Sequence, residues 1–318
     1  MLLETTVSAG AIFGSEFLGT MILIILGVGV VANNLLPKTK GNPGPGSLQI
    51  NWGWGFGVMF GVYGAYRTGG HLNPAVTVGL ALAGKDLAPG VEATAGNICL
   101  YIIAQFLGAF VGAIIAWLAY KQHYDEDCDQ ALKLGTFATG PEIRNPFWNT
   151  VTEAIGTWVL VLWVIISNYT AAASVDLKTG VFSGTAIGPL AVALLIVSIG
   201  ASLGGPTGYA INPARDLGPR VAHAVLPIKG KGGSDWGYSW VPVIAPLVGA
   251  VLAGRVGALF AWSARRLPLS TLGFVQFLAP TLQFAIGVMD GEPFTPLRAL
   301  SFVFIWSGAA VFALAAWR

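Results

Sequence analysis

The chain has 318 residues, 54% of them hydrophobic and only 10% charged, with a mean hydropathy of +0.69. A soluble domain of that composition would expose too much apolar surface, so the class is a polytopic membrane protein. Seventeen basic residues against fifteen acidic ones leave a net charge of +2, scattered along the chain. That excludes a nucleic-acid footprint and a polybasic lipid-binding tract.

Met1 to Gly10 carries no basic n-region, so the first apolar run reads as an uncleaved span from about Ala11 to Leu36. It holds Glu16 in Glu16-Phe17-Leu18-Gly19-Thr20. A carboxylate in a membrane helix is costly unless it faces the bundle interior, and accepting hydrogen bonds from a neighbouring loop is its expected use. A second, glycine-rich span from Leu48 to Tyr66 carries Trp52 and Trp54, and Gly69-Gly70-His71-Leu72-Asn73-Pro74-Ala75 follows at once. Asn is a strong N-cap, Pro suits the first helical position and Ala has the highest helix propensity, so Asn73-Pro74-Ala75 starts a helix. Its apolar continuation, Val76 to Ala83, is too short to cross a bilayer. A third span, Asn97 to Tyr120, contains Gln105 and the small pairs Gly108-Ala109 and Gly112-Ala113, spaced for close helix crossing. The polar stretch Lys121 to Asn145 reads as a long loop outside the membrane.

The fourth span begins near Phe147 and contains Glu153-Ala154-Ile155-Gly156-Thr157, repeating the Glu-x-x-Gly-Thr pattern 137 positions after the first. Asn212-Pro213-Ala214, followed by the short run Leu217 to Ala224, repeats the first tripeptide at an offset of 139. Gly108-Ala109 recurs as Gly249-Ala250 at an offset of 141. Three landmarks in one order at nearly one spacing are an internal repeat. Each copy, about 11–120 and 147–262, holds three full spans and one half-helix. An odd number of crossings turns the second copy over. The expected fold is an all-α membrane protein, an inverted repeat of three transmembrane helices plus one re-entrant half-helix each, with two extra C-terminal transmembrane helices. The half-helices then meet near mid-bilayer with their positive N-termini facing, which repels cations and protons. Irregular backbone at that depth survives only beside protein or a water-filled path, so a pore or solute site is implied.

These residues resemble the aquaporin and glycerol-facilitator family of major intrinsic proteins over about Ala11 to Arg266. The resemblance implies a channel rather than an enzyme, one pore per subunit, a homotetramer and a multi-pass position in the cell membrane. It assigns Asn73, Pro74, Ala75, Asn212, Pro213 and Ala214 to the pore centre, with His71, Glu16, Glu153 and Asp216 in support. It places the outer constriction at Trp54, Gly200, Tyr209 and Arg215, with Trp52 as the alternative tryptophan. Water-selective members carry His where this chain has Gly200, so Gly200 is expected to widen the opening, as in the glycerol-facilitator branch. Many facilitators carry Phe where this chain has Tyr209, and the added hydroxyl is expected to narrow the filter or favour more polar solutes such as urea. His71 is open to two roles, lining the inner vestibule or holding the loop through a carbonyl. The implied solutes are glycerol and water, with urea and hydrogen peroxide as further candidates. The competing readings are a water-dominant channel and, from another class, a coupled secondary transporter.

No metal site, cofactor or catalytic group is expected. Cys99 and Cys128 have no ligand spacing and form no obvious pair, and His123 and His223 sit alone. A channel unit of 1–266 is followed by an accessory hairpin of 267–318, whose apolar segments Leu269 to Met289 and Leu297 to Trp317 resemble the last two helices of RarD-type drug/metabolite transporters. With the N-terminus in the cytoplasm, Lys38, Lys40, Lys121, Lys133, Arg144, Lys229 and Lys231 fall in outside loops, against the usual bias of basic residues to the inside.

Overall fold

The structure is a computed structural model and describes residues 7–174 and 187–266, with Thr295, Val303, Trp306 and Ser307 beyond them. Its compact units are Met1–Gly257 and Ala258–Arg318. The two apolar segments of the C-terminal tail lie outside the described residues.

Among the described residues the named α-helices are, in order, α1 (Ala9–Leu35), α2 (Ser47–Gly64), α3 (Pro74–Leu82), α4 (Ala95–Ala119), α5 (Lys121–Asp125), α6 (Gln130–Phe137), α7 (Pro146–Ser174), α8 (Ile187–Leu203), α9 (Pro213–Val225) and α10 (Val241–Arg266). Four are long and apolar enough to cross a membrane, over Ala9–Leu35, Ala95–Ala119, Pro146–Ser167 and Val241–Leu259. The 18 residues of α2 and 17 of α8 reach roughly 26 Å at 1.5 Å per residue, close to the hydrocarbon thickness of a bilayer. The helices α3 and α9 are the half-length elements, and each begins at the Pro of its tripeptide.

The repeat is visible in how the helices touch. A Cβ on Gly108 of α4 would strike the carbonyl of Phe17, the residue after Glu16, and one on Gly249 of α10 would strike the carbonyl of Ala154, the residue after Glu153. Each half-helix then inserts a glycine, six positions after its Asn, against the opposite half. Gly218 of α9 meets Ala109 of α4, and Gly79 of α3 meets the carbonyl of Ala250 of α10. The Gly-Ala pairs therefore do two jobs. Glycine lets the long helices cross with backbones in contact, and alanine seats the half-helix from the other repeat.

The stretch 121–145 is more ordered than a loop. It folds into α5 and α6, and α6 packs on α1 and α9. Tyr124 and Phe137 are buried there with their rings tilted against each other at 5.5 Å between centroids, and the Tyr124 hydroxyl shares a hydrogen bond with Thr136 at 2.6 Å. Its polar composition concealed these few apolar anchors, which clamp the segment over α9.

Candidate functional site: a cavity at the tips of two half-helices

Asn73 caps α3 by accepting from the Ala75 N–H at 2.8 Å, and Asn212 caps α9 by accepting from the N–H groups of Ala214 at 3.0 Å and Arg215 at 3.2 Å. Each amide nitrogen donates across the repeat to the residue that precedes the other asparagine. Asn73 Nδ2 donates to the Ile211 carbonyl and Asn212 Nδ2 to the Leu72 carbonyl, both at 2.8 Å. The half-helices are therefore locked tip to tip by two symmetric bonds. A carboxamide has two N–H groups, so each asparagine keeps a second donor.

Leu72 and Ile211 both adopt positive φ, 53° and 43°, which costs a non-glycine residue on the order of 1 kcal/mol or more. The glutamates hold them there. Glu16 accepts from the N–H groups of His71 (3.0 Å) and Leu72 (2.9 Å), the Thr68 hydroxyl (3.1 Å) and the Gln105 amide (2.8 Å). Glu153 accepts from the N–H groups of Ala210 and Ile211, both at 2.9 Å. Both carboxylates are buried and occupied by these loops, the role expected from the sequence. The threonine of each Glu-x-x-Gly-Thr motif donates back to the glutamate's own carbonyl, Thr20 at 2.7 Å and Thr157 at 2.8 Å.

His71 serves both of its candidate roles. Its ring lines the cavity, and it fixes the loop because Nε2 donates to the Leu87 carbonyl at 2.8 Å. That bond places the proton on Nε2, so Nδ1 accepts from the Thr77 hydroxyl at 3.0 Å. Asp216 sits behind the site. It accepts from Arg220 Nε at 2.8 Å and from the N–H and hydroxyl of Thr139 at 2.7 and 2.8 Å. Arg220 Nη2 donates a second bond to Asp216 at 3.1 Å and one to the Thr139 carbonyl, and Nη1 donates to the carbonyls of Ser234 and Asp235. A buried ion pair with its other donors satisfied is a clamp between α9 and the segment before α7. Thr77, Thr139, Arg220 and Tyr101, whose hydroxyl donates to the Thr68 carbonyl at 2.9 Å, belong to this framework. The Asp216–Arg220 pair is an i, i+4 spacing on α9 that the sequence carries, but the partners of Tyr101 and Thr139 lie 33 and 77 residues away and give no local signal.

A cavity of about 930 Å³ is lined by both asparagines, by consecutive stretches of both loops and by Trp54, Tyr209 and Arg215. Lys85 and Asp86 lie on the same lining. Trp54 is buried and lines the cavity, while Trp52 is exposed and does not. The Arg215 guanidinium lies 3.8 Å from the Trp54 ring centroid, a cation–π stack.

Gly200 departs from expectation. It does not line the cavity, and the space its missing side chain leaves is filled. A Cβ there would lie 2.5 Å from Asn51 Oδ1 and 2.7 Å from Tyr209 Cζ, and one on Gly204 would lie 2.6 Å from Tyr209 Cδ1. Gly200 in the last turn of α8 and Gly204, the residue just past its end, form a ledge that seats the phenol ring. Gly200 thus acts through Tyr209 and not by opening space directly. Asn51, one helical turn before Trp54 on α2, was missed because a lone asparagine in a membrane helix gives no local signal of what it faces.

A family model described as major intrinsic protein matches residues 4–256. The chain belongs to that family. Among relatives, a probable glycerol uptake facilitator protein of Thermotoga maritima is 48% identical over 256 residues, covering 79% of this chain and 99% of the relative. A glycerol uptake facilitator protein of Streptococcus pneumoniae is also 48% identical, over 250 residues, covering 78% of this chain and 98% of the relative. Among solved structures, the aquaglyceroporin from Plasmodium falciparum is 30% identical with a TM-score of 0.64, covering 78% of this chain and 95% of that one. As a major intrinsic protein the chain is a multi-pass membrane channel and not an enzyme. The matched residues end before the C-terminal tail.

Proposed function

We propose that this channel conducts glycerol and other small uncharged solutes, together with water, passively and in both directions, while excluding protons and ions. The observation that carries the reading is the reciprocal bonding of Asn73 and Asn212 at the tips of two facing half-helices, beside a continuous cavity. Each tip adds roughly half an elementary positive charge, which opposes cations. The second N–H of each asparagine donates to a passing oxygen. A water held by two donors accepts from both and turns its own hydrogens away, which interrupts proton relay along the file. Trp54 and Tyr209 supply an apolar wall for a carbon backbone, and Arg215 donates to hydroxyls. A polyol has both faces and matches this combination. The relatives, which are glycerol uptake facilitators by name, support glycerol as the solute. We further propose that the chain assembles as a homotetramer.

A coupled transporter needs a carboxylate free to exchange protons, and Glu16 and Glu153 are both committed to loop N–H groups. Stopped-flow light scattering on proteoliposomes tests the reading. Fast glycerol entry, unaffected by a proton gradient or an uncoupler, is expected. Saturable entry collapsed by an uncoupler overturns it, and so does water flux with glycerol entry no faster than in empty liposomes.

A further inference from the structure

The helix order gathers one set of segments on the membrane face where α1 begins. The helix α1 crosses and α2 returns, α3 dips in and comes back, and α4 leaves again, while α7 returns and α8 starts there. The turn Tyr66–Thr68 after α2, the loop after α3, the end of α7 and the start of α8 therefore share that face. Tyr66, Arg67, Lys85, Asp86, Ser167 and Gly188, drawn from these segments, all line the cavity, so this is one of its mouths. Two of them are cations and one is an anion.

Lys85 is fixed on the wall. Its Nζ donates at 2.7 Å to the Ile165 carbonyl of α7, 80 residues away, and the neighbouring Val164 also lines the cavity. Arg67 and Asp86 are exposed, and among the described residues neither side chain has a hydrogen-bond or ion-pair partner. The segments that carry these charges are packed together. A Cβ on Gly69 would lie 2.9 Å from the Leu87 carbonyl, which also accepts from the His71 ring. Arg67 and Lys85 each stand two residues from that contact, at most about 7 Å along the chain. An anion beside the Lys85 ammonium is thus within the sweep of the Arg67 guanidinium, whose fork of N–H groups matches a phosphate. Deeper in, the two half-helix tips add positive charge that repels cations but draws anions.

We propose that Arg67 and Lys85 form a phosphate-binding site at this mouth, and that a phosphate group seated there blocks the pore. The inference rests on the channel reading above. The bound dianion goes no further, because the path beyond is walled by Leu23, Val58 and Val76 and stripping a dianion of water there is costly. A phosphorylated polyol fits both parts of the cavity, its hydroxyl chain in the conducting path and its phosphate in the mouth. Free phosphate shares only the charged group. Asp86, on the same lining, repels either ligand and keeps the block reversible.

The test is stopped-flow glycerol entry into proteoliposomes of the full chain, with glycerol phosphate, inorganic phosphate or chloride at matched ionic strength on both sides of the membrane. Each variant is compared with its own flux in chloride. Millimolar glycerol phosphate is expected to cut glycerol entry to less than half. Arg67→Gln and Lys85→Met are each expected to raise the half-blocking concentration about tenfold, the effect of one lost charge-assisted hydrogen bond. Asp86→Asn is expected to lower it. Shifts of opposite sign follow the charge of the side chain, which a merely structural role of these residues does not produce. A stronger block by glycerol phosphate than by inorganic phosphate supports the site with a phosphorylated polyol as its ligand, and equal blocks support it with free phosphate. No block by either anion overturns the site, as does a block unchanged in both cation variants or weakened in Asp86→Asn. Wild-type liposomes that admit no glycerol even in chloride instead overturn the glycerol reading, and the block is then read on water flux, so the two failures are distinguishable.

Discussion

Substituting Gly200 by alanine separates a ledge from an opening. The new Cβ would sit 2.7 Å from Tyr209 Cζ and 2.5 Å from Asn51 Oδ1. The Asn51 carboxamide is the end of a rotatable side chain and moves aside cheaply. The phenol has less freedom, because the Gly204 backbone packs close against the same ring and Glu153 holds the N–H groups of the two residues that follow Tyr209. Ordinary carbon–carbon contact begins near 3.5 Å, so the ring has to shift by about 1 Å, and the space open to it is the cavity that Tyr209 lines. Overpacking of this kind costs about 1–3 kcal/mol, well within what a folded membrane protein tolerates. The shift narrows the constriction for a three-carbon solute more than for water. Glycerol permeability in stopped-flow assays is expected to fall at least tenfold, with a smaller fall for water. Gly200→Ala combined with Tyr209→Ala, which removes the ring, is expected to recover glycerol flux. Unchanged glycerol flux in Gly200→Ala, or equal losses for both solutes in the double variant, would refute the ledge.

Glu153→Gln replaces one acceptor of two loop N–H groups with a donor. It is expected to cost about 2–4 kcal/mol and to reduce both water and glycerol permeability, measured alongside thermal unfolding in detergent. Gly249→Leu drives a side chain into the Ala154 carbonyl at the α7–α10 crossing, so the yield of folded protein on size-exclusion chromatography is expected to collapse, while Gly233→Leu, with open space around it, is expected to leave it intact. Lys231 donates to the carbonyls of His223, Ala224 and Leu226 at the C-terminal end of α9, each at 2.7 Å, and Lys231→Met is expected to destabilise the protein by about 1–2 kcal/mol, read as a lower unfolding temperature.

Much of this architecture is written in short motifs because the motifs are short-range physics. Asn-Pro-Ala starts a helix wherever it occurs, and its recurrence at a near-constant offset from Glu-x-x-Gly-Thr and Gly-Ala exposes the repeat and its inversion. The glutamates follow from the cost of a carboxylate in a membrane. What the residues do not disclose is mutual occupation of space. Whether Gly200 opens a lumen or receives a ring depends on Tyr209 and Asn51, nine and 149 positions away. The polar stretch 121–145 shows the same limit. Its composition is that of a loop, but Phe137 and Tyr124 bury only because α9 and the His223 ring, 5.5 Å from Phe137, are there to receive them.

The charge distribution that conflicts with an inward N-terminus has a structural explanation. Lys231 caps α9, Lys133 donates to the Lys229 carbonyl at 2.5 Å, and Arg144 pairs with Asp235 at 2.5 Å. Lys38 pairs with Glu126 at 2.8 Å, Lys229 with Asp127 at 3.3 Å, and Lys121 with Asp125. Six of the seven basic residues thus fasten the segments around α5, α6 and α9, and Lys40 is the exception. A helix whose C-terminus points to one face needs cations on that face, a local demand that competes with the bias of basic residues towards the cytoplasm. Orientation is then better tested than counted. Cys99 lies near the start of α4 and Cys128 beyond its end, so the two free thiols mark opposite faces. With an inward N-terminus, a membrane-impermeant maleimide added to intact cells is expected to label Cys128 in a Cys99→Ser background. Burial raises the Cys128 thiol pKa, leaving little thiolate at neutral pH. The labelling rate is therefore expected to climb as pH rises through 8 and beyond. Labelling of Cys128 only after the cells are permeabilised would reverse the orientation, and the six fastened cations would then lie on the cytoplasmic face after all.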